Sequence, residues 1–410
     1  MIRRTLHRAA ALPLLGAALL SACADNGPTS PAAAPPPAVA LTVIPTTAYT
    51  TSLDAGETHT CALTSGGQAY CWGRNSVGQL GDSTASTHTA PVAVLQQPGV
   101  TFTQLSAGQI HNCAITGAGV AWCWGYNADY RLGDSTINLG LAPVQVKGAT
   151  GITWASISAG AQHTCGLDTS GNAHCWGYNF YGQLGNNATE SRRSPVAVQM
   201  PSGVTFSAIT AGEKHTCALD TTGQAWCWGY GAEGAMGGGF SFGDSIPVQV
   251  THPSGVTFAS IHTEYRHTCA VTSAGQAYCW GKNGSGQLGN NNTTTQYTPV
   301  AVQQPAGVTF ASLRTNADNT CAVTSGGQAY CWGLNNNRGQ VGDGTIWTTR
   351  RTPVAVSQPA GVSLGAVTVG SSFACGVDGV GQGWCWGRND YSQHGNNSTT
   401  DSSTPTAVSH

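Results

Sequence analysis

Seven thiol pairs dominate the chemistry open to this chain. Fourteen of its fifteen cysteines stand in twos, ten positions apart: Cys61 and Cys71, Cys113 and Cys123, Cys165 and Cys175, Cys217 and Cys227, Cys269 and Cys279, Cys321 and Cys331, Cys375 and Cys385. Paired thiols either oxidise to a disulfide or ligate a metal. A structural zinc site needs four ligands, and two cysteines per unit leave two unsupplied. The pairs are therefore read as disulfides, and no metal is expected.

The imidazoles are the second candidate. His59, His111, His163, His215 and His267 recur at one position, with Asn319 and Phe373 completing the series. A metal would need several ring nitrogens within about 2 Å of one ion, closer than equivalent residues of neighbouring units usually come. Each histidine is instead expected to satisfy backbone groups within its own unit. No unit adds a carboxylate or nucleophile that would mark one histidine as catalytic. Glu57, Glu213 and Glu264 read as isolated acids, so neither a catalytic residue nor a cofactor is expected.

The elements that position these groups follow from the spacing. The first cysteines of successive pairs are 52 residues apart five times and 54 once. One structural unit is thus repeated seven times, and a period near fifty implies an array of modules rather than two or three domains. Within a unit, short β-type runs alternate with Gly, Asn and Pro, without a helical period, which gives four strands per unit. Charged residues are only 8% of the 410, while glycine reaches 55, as suits a turn-rich all-β protein.

The hairpin register follows from the cysteines themselves. Pairing Cys61 with Cys71 sets Thr64 opposite Gln68 and leaves a loop of Ser65, Gly66 and Gly67. Three-residue loops commonly end on a left-handed residue, and every copy supplies a glycine there: Gly67, Gly119, Gly171, Gly223, Gly275, Gly327 and Gly381. The cysteines then face each other at a non-hydrogen-bonded pair, about 4.5 Å apart in backbone, which suits a disulfide. Alternation throws Tyr70 and Trp72 to the opposite face. The equivalent tryptophans, Trp124, Trp176, Trp228, Trp280, Trp332 and Trp386, are expected to bury as core against the next unit.

The N-terminus reads differently. Arg3, Arg4 and Arg8 precede an apolar run from Ala9 to Leu20, too short to span a bilayer as a stable helix. Leu20-Ser21-Ala22-Cys23 follows and resembles the lipobox of bacterial lipoproteins, which implies cleavage before Cys23 and lipid on that residue, the one cysteine outside the pairs. Residues 1–22 are read as a signal peptide, 23–45 as the lipidated cysteine and an Ala/Pro-rich tether, and 46–410 as the repeat domain. Polyproline-like spacers rise about 3 Å per residue, so the tether could hold the domain up to roughly 60 Å from a membrane. An exported chain also meets an oxidising compartment. Formal net charge is −2; without the three arginines of the leader, 13 basic residues face 18 acidic ones, or −5. No basic stripe marks a nucleic-acid surface.

The run from Ala55 to Gly81, Ala-Gly-x-x-His-Thr-Cys-Ala-Leu-Thr and then Tyr-Cys-Trp-Gly-x-Asn-x-x-Gly-Gln-Leu-Gly, resembles the repeat of the regulator of chromosome condensation family. The resemblance covers about residues 48–408 and implies a seven-bladed β-propeller. It implies no single activity, since similar propellers serve exchange factors, ubiquitin-ligase accessory domains, light sensors and secreted β-lactamase inhibitors. The export signal, the missing basic tail and the hairpin disulfides depart from the exchange-factor pattern.

Strand direction places the Ala-Gly-x-x-His bend and the Trp-Gly-x-Asn loop at one end of every unit. Here the chemistry varies: Arg74, Tyr126, Tyr178, Tyr230, Lys282 and Arg388 follow the Trp-Gly pairs, and Lys214, Tyr265 and Arg266 precede the histidine position. Tyrosine and arginine are frequent hot-spot residues. The sequence thus describes an exported, lipid-anchored, monomeric propeller, periplasmic or at the cell surface, that binds a protein or glycan through this loop face. The alternatives are an inhibitor or regulator of an extracytoplasmic enzyme and, by resemblance only, nucleotide exchange. Replacing Cys23 by serine is expected to abolish palmitate labelling and to move the chain from the membrane to the soluble fraction; unchanged labelling would refute the anchor.

Overall fold

The computed structural model describes residues 49–240 and 242–409; the leader, Cys23 and the tether lie outside them. The described residues form seven four-stranded antiparallel sheets, the blades of a propeller. In the first blade β1 is Tyr49–Ala55, β2 His59–Thr64, β3 Ala69–Gly73 and β4 His88–Ala93. The others repeat this meander as β5–β8 (102–145), β9–β12 (154–197), β13–β16 (206–249), β17–β20 (260–301), β21–β24 (312–355) and β25–β28 (364–407). First strands pack against one another around the axis, and β25 returns to β1. Fourth strands form the rim. Among the described residues no helix is long and apolar enough to cross a membrane.

The hairpin register is the expected one. Cys61 pairs with Cys71, and Thr64 N–H donates to Gln68 O at 3.0 Å. The seven loop glycines adopt φ between 72° and 83°, where a Cβ would be strained. All seven expected pairs are disulfides, one in each blade. Cys61 is bonded to Cys71, Cys113 to Cys123, Cys165 to Cys175 and Cys217 to Cys227. Cys269 is bonded to Cys279, Cys321 to Cys331 and Cys375 to Cys385. The bonded cysteines have Cα atoms 4.0–4.1 Å apart, somewhat closer than the 4.5 Å expected of the backbone pair. Every one of these cysteines is fully buried.

What buries them is the neighbouring blade. One core cluster joins Cys61, Cys71, Leu80 and Val94 of the first blade to Phe102, Leu105, Trp122 and Trp124 of the second. The disulfide face of each blade is thus covered by the tryptophan face of its successor. The tryptophans therefore bury against the preceding unit and not, as expected from the sequence, against the next, because the disulfide occupies the forward face and the indole the rear one. In the loop Gly-Gln-Leu-Gly the last glycine makes room for the ring: a Cβ on Gly81 would lie 2.7 Å from Trp124 Cδ1. The indole Nε1 then donates to a carbonyl of that same loop, Trp124 to Gln79 O at 3.2 Å and Trp228 to Gln183 O at 2.9 Å.

Among the described residues no blade is shared between the chain ends. The seventh uses β25–β28 only, so the ring closes by packing, with Leu53 and Ala55 against Phe373, Val377 and Val408. Trp72 closes it with the clasp of five other seams, donating to Gln393 O at 2.8 Å beneath Gly395. Trp228→Ala is expected to cost about 3–5 kcal/mol, as for a buried aromatic lost to a cavity. Reduction of one hairpin bridge should cost about 2–3 kcal/mol on the chain-entropy model. Denaturant titrations of the oxidised, reduced and Trp228→Ala proteins measure both, and losses below about 1 kcal/mol would contradict the seam.

Candidate functional site

The two loop series share one face, joined by backbone bonds: Arg74 N–H donates to Thr58 O, Tyr126 to Ile110 O, Tyr178 to Gln162 O, Tyr230 to Lys214 O and Lys282 to Arg266 O. A buried asparagine shapes most of these loops; Asn179 Oδ1 accepts from Leu184 N–H and its Nδ2 donates to Ala188 O. The fourth blade has Gly231 there and adopts a short 3₁₀ turn, Ala232–Gly234, instead.

This scaffold gathers some of the expected residues and separates others. Tyr178 and Tyr230 join one aromatic run with Phe180 and Tyr181, the Phe180–Tyr181 and Tyr181–Tyr230 centroids lying 5.2 and 4.9 Å apart. Lys214 Nζ sits 5.5 Å over Tyr181 and 5.8 Å over Tyr230, within cation–π range. Phe180 is 66% exposed. A depression of 310 Å³ opens beside it, lined by Phe180, Tyr181, Tyr230 and Asp244. Lys214 also pairs with Glu213, which reaches Arg266, and Arg266 and Lys282 flank Tyr265. Glu213 is therefore not an isolated acid. The strip runs across the third, fourth and fifth blades.

Tyr126 stands outside it, stacked on Arg131 at 4.8 Å. Arg131 occupies the place of the loop glutamine, is 2% exposed, and donates to Ala161 O at 2.7 Å and to Asp129. Arg74 and Arg388 form a second patch, each 5.1 Å from the ring of Tyr391. Sequence reasoning misses Phe180, Tyr181 and Arg131. Their signal is departure from the repeat: Ser76-Val77 and Gly284-Ser285 stand where Phe180-Tyr181 does.

The histidines bond across seams rather than within their own blades. His111 Nε2 meets Thr164 Oγ1 at 2.9 Å, His163 meets Thr216 at 2.8 Å and His267 meets Thr320 at 2.9 Å; His59 meets Asn112 Oδ1. They do so because they stand where first and second strands meet the following blade. Thr164 and Thr216 spend their own protons on the loop carbonyls of Arg131 and Gln183, so the imidazole Nε2 must be the donor. Burial holds His59 and His215 down to about 4 and His163 and His267 to about 3, and His111 well below its ordinary value.

A third arrangement lies at the axis. Asp54, Ser106, Ser158, Thr210, His262, Arg314 and Thr368 each stand opposite the first cysteine of their hairpin. In six seams this side chain accepts a backbone N–H of the next first strand: Asp54 from Ala107 at 2.9 Å, Ser106 from Ala159, Ser158 from Ala211, Thr210 from Thr263, His262 from Thr315 and Thr368 from Ala55. Arginine cannot accept, so the seventh bond is absent; Asn316 Nδ2 spans that seam to Val369 O instead. Among the described residues the Arg314 guanidinium donates only to Leu313 O. Two positions further, five blades have glycine and two have Glu264 and Asn316. Glu264 is 8% exposed, and its Oε1 has no partner among the described residues. Burial first, then the charges of Asp54 and Glu57, raise its carboxyl well above the ordinary range, against Arg314. Glu264, read from the sequence as an isolated acid, thus stands near the axis without a partner for Oε1 among the described residues.

Seven four-stranded blades, each with its signature loop, define a β-propeller built from one 52-residue repeat. The RCC1-like domain model matches residues 138–410, and regulator of chromosome condensation (RCC1) repeat models match 51–79 and 66–115. The chain belongs to the RCC1-like domain family. It is 29% identical over 357 residues to the ultraviolet-B receptor UVR8 of Arabidopsis thaliana, covering 87% of this chain and 81% of the receptor. It is 27% identical over 324 residues, 78% of this chain, to the human E3 ubiquitin-protein ligase HERC2, of which it spans only 7%. In fold it is similar to human WBSCR16, with TM-score 0.75, 19% identity and coverage of 84% and 94% of the two chains. The same holds for Prp20p of Saccharomyces cerevisiae, with TM-score 0.72, 20% identity and 87% of each chain.

The buried neutral histidines set a pH dependence. Their folded values are depressed below the unfolded one near 6.5, so the unfolded state binds protons first and stability falls as pH drops below about 6.5 toward 4. Asp54 and Glu264, raised by burial, act in the opposite sense. Between about pH 7 and pH 5 each depressed histidine should cost up to about 2 kcal/mol. Urea titrations at both values measure the loss, and a stability unchanged or higher at pH 5 would contradict neutral seam histidines.

Proposed function

We propose that this protein is an interaction module, exported and lipid-anchored through Cys23, which receives a protein partner on the strip formed by Tyr178, Phe180, Tyr181, Lys214 and Tyr230. The observation that carries the reading is the run of three close aromatic contacts capped by a lysine beside a 310 Å³ depression, with Phe180 66% exposed. Aromatic side chains with few rotatable bonds and a polar end lose little entropy on binding and supply large contact area. The strip continues into Tyr265, Arg266 and Lys282, so the apolar centre has a charged edge, the usual anatomy of an interface.

Likeness to relatives supports an interaction or regulatory role in general terms. Prp20p has been described in terms of its binding to Gsp1p and histones, and UVR8 is a receptor. The envelope setting rests on the leader and Cys23. Cross-linking to cell-envelope proteins, with the folded protein carrying a photo-reactive residue at Ser245, which also lines the depression, tests the reading. The wild type is expected to trap a discrete partner, and the Phe180→Ala/Tyr181→Ala/Tyr230→Ala variant to lose it at least about tenfold, each anchor contributing about 1–2 kcal/mol. Equal trapping by a folded variant would refute the strip as the binding surface.

A further inference from the structure

At the hairpin-tip end of the blades, opposite the loop face, the third strand begins on a backbone N–H that a side chain from the connection after the fourth strand closes. In the first blade Gln96 Oε1 accepts from Ala69 N–H at 2.7 Å, while its Nε2 donates to Gly67 O at 3.0 Å and to Val100 O at 2.8 Å. Gln304 bridges Ala277, Gly275 and Val308 in the same way, and Gln358 bridges Ala329, Gly327 and Val362. In the fourth blade His252 stands in, accepting from Ala225 N–H through Nε2 at 2.8 Å and donating to Val256 O through Nδ1 at 3.0 Å. In the third blade Met200 takes the space and packs on the core. The seventh-blade counterpart, His410, lies outside the described residues.

The second blade breaks the series. Gly148 stands at the position of Gln96, and Val120 at that of Gln68, whose amide donates to Ala69 O and Val94 O. Two carboxamides are thus missing from one place. A cavity of 550 Å³ opens there, lined by Gly119, Ala121, Gly148 and Ile152, the counterparts of Gln96 and of the three residues it bridges. The surrounding frame is kept: Ile152 N–H donates to Ala149 O and Trp154 N–H to Gly119 O, each at 3.0 Å, as Val100 does to Gln97 O at 3.0 Å and Phe102 to Gly67 O at 2.9 Å. Lys147 also lines the cavity, but an ammonium has no acceptor to offer Ala121 N–H. One N–H and two carbonyls set around a gap in this way match a planar group with an acceptor and two donors, which is a primary carboxamide. Residues 1–48 contain no glutamine, so such a side chain comes from another molecule.

We propose that this cavity is a binding site for a primary carboxamide, the side chain of a glutamine carried by a peptide or protein partner. Its oxygen accepts from Ala121 N–H and its NH₂ donates to Gly119 O and Ile152 O, repeating from outside the chain what Gln96, Gln304 and Gln358 do within it. An adjoining depression of 470 Å³ shares Ala118, Val120 and Gln145 with the cavity and is walled by Trp122 and Val100. It gives the residues beside such a glutamine an apolar bed. The site lies at the other end of the blades from the aromatic strip and does not depend on it.

Amide NMR of the folded protein tests this with N-acetyl-glutamine methylamide as the probe and its norvaline and glutamate counterparts as controls. The glutamine probe is expected to move the Ala121 amide proton downfield saturably, with a dissociation constant on the order of 10 mM for so small a ligand. Norvaline lacks the amide and an ionised glutamate lacks the donor, so both should bind at least about tenfold more weakly. Two variants examine the site from opposite sides. Giving the second blade the connection of the first, Lys147→Leu/Gly148→Gln/Ala149→Gln/Thr150→Pro, should fill the cavity from within and weaken probe binding at least about tenfold. The whole stretch is exchanged because Gly148 has φ 73°, where a side chain added alone would be strained. Gln68→Val/Gln96→Gly copies the second blade into the first, and there the probe should newly move the Ala69 amide; this variant serves if the exchanged connection does not fold. No saturable shift of Ala121 up to about 100 mM glutamine probe, an equal shift with norvaline, unchanged binding by the folded connection variant, or an unresponsive Ala69 amide in the folded Gln68→Val/Gln96→Gly protein would each overturn the proposal.

Discussion

The structure depends on one contact made seven times: an indole of one blade laid over a glycine of the blade before it. The glycine lets the loop approach the ring, the ring covers the preceding disulfide, and a carbonyl of the same loop accepts the indole proton in most seams. Each blade alone would expose both faces of a four-stranded sheet. Stacked, it buries a tryptophan on one side and a disulfide on the other. Because Trp72 meets Gly395 as Trp124 meets Gly81, closure demands nothing special of the chain ends. Among the described residues no strand is exchanged between termini, and the seal is packing rather than a shared sheet.

The repeat makes most of this architecture readable. Strand number, hairpin register, loop glycines and disulfide pairing all follow from cysteine spacing and the positive-φ requirement, and the structure agrees with each, from the Cys61–Cys71 bridge to the Cys375–Cys385 bridge. Which neighbour the indole meets is not readable, because a periodic sequence defines faces of a blade and not the direction in which blades stack. The histidines illustrate the same limit. Their position is evident, yet whether Nε2 finds an acceptor inside the blade or across the seam depends on the approach of the following threonine. Residues at the axis are harder still. Asp54, His262 and Arg314 occupy one position in a repeat where other copies have serine or threonine, and only the ring shows that they share an axis.

Rigidity at the seams bears on the loop face. The strip from Tyr178 to Lys282 spans several blades, so its shape is held only if the seams between them do not shift. Hydrogen bonds from inner-edge side chains tie each first strand to its successor near the axis, while histidine–threonine bonds and indoles tie the blades farther out. The seam between the sixth and seventh blades departs most. There Arg314 cannot accept, Asn319 replaces histidine, and one extra residue in the loop before Gly342 leaves Trp386 Nε1 without an acceptor among the described residues. Departures in the seam bonds thus concentrate where Arg314, Asn316 and Trp386 stand.

Hydrogen exchange of the indole N–H groups, followed by nitrogen-15 NMR, measures the seams one by one. The account predicts that Trp72, Trp124, Trp176, Trp228, Trp280 and Trp332 exchange only through global opening, with one common free energy, and that Trp386 exchanges faster. Rapid, independent exchange at Trp72 would show that the first and last blades part in the folded protein, and would contradict a ring closed by the clasp that Trp124 makes.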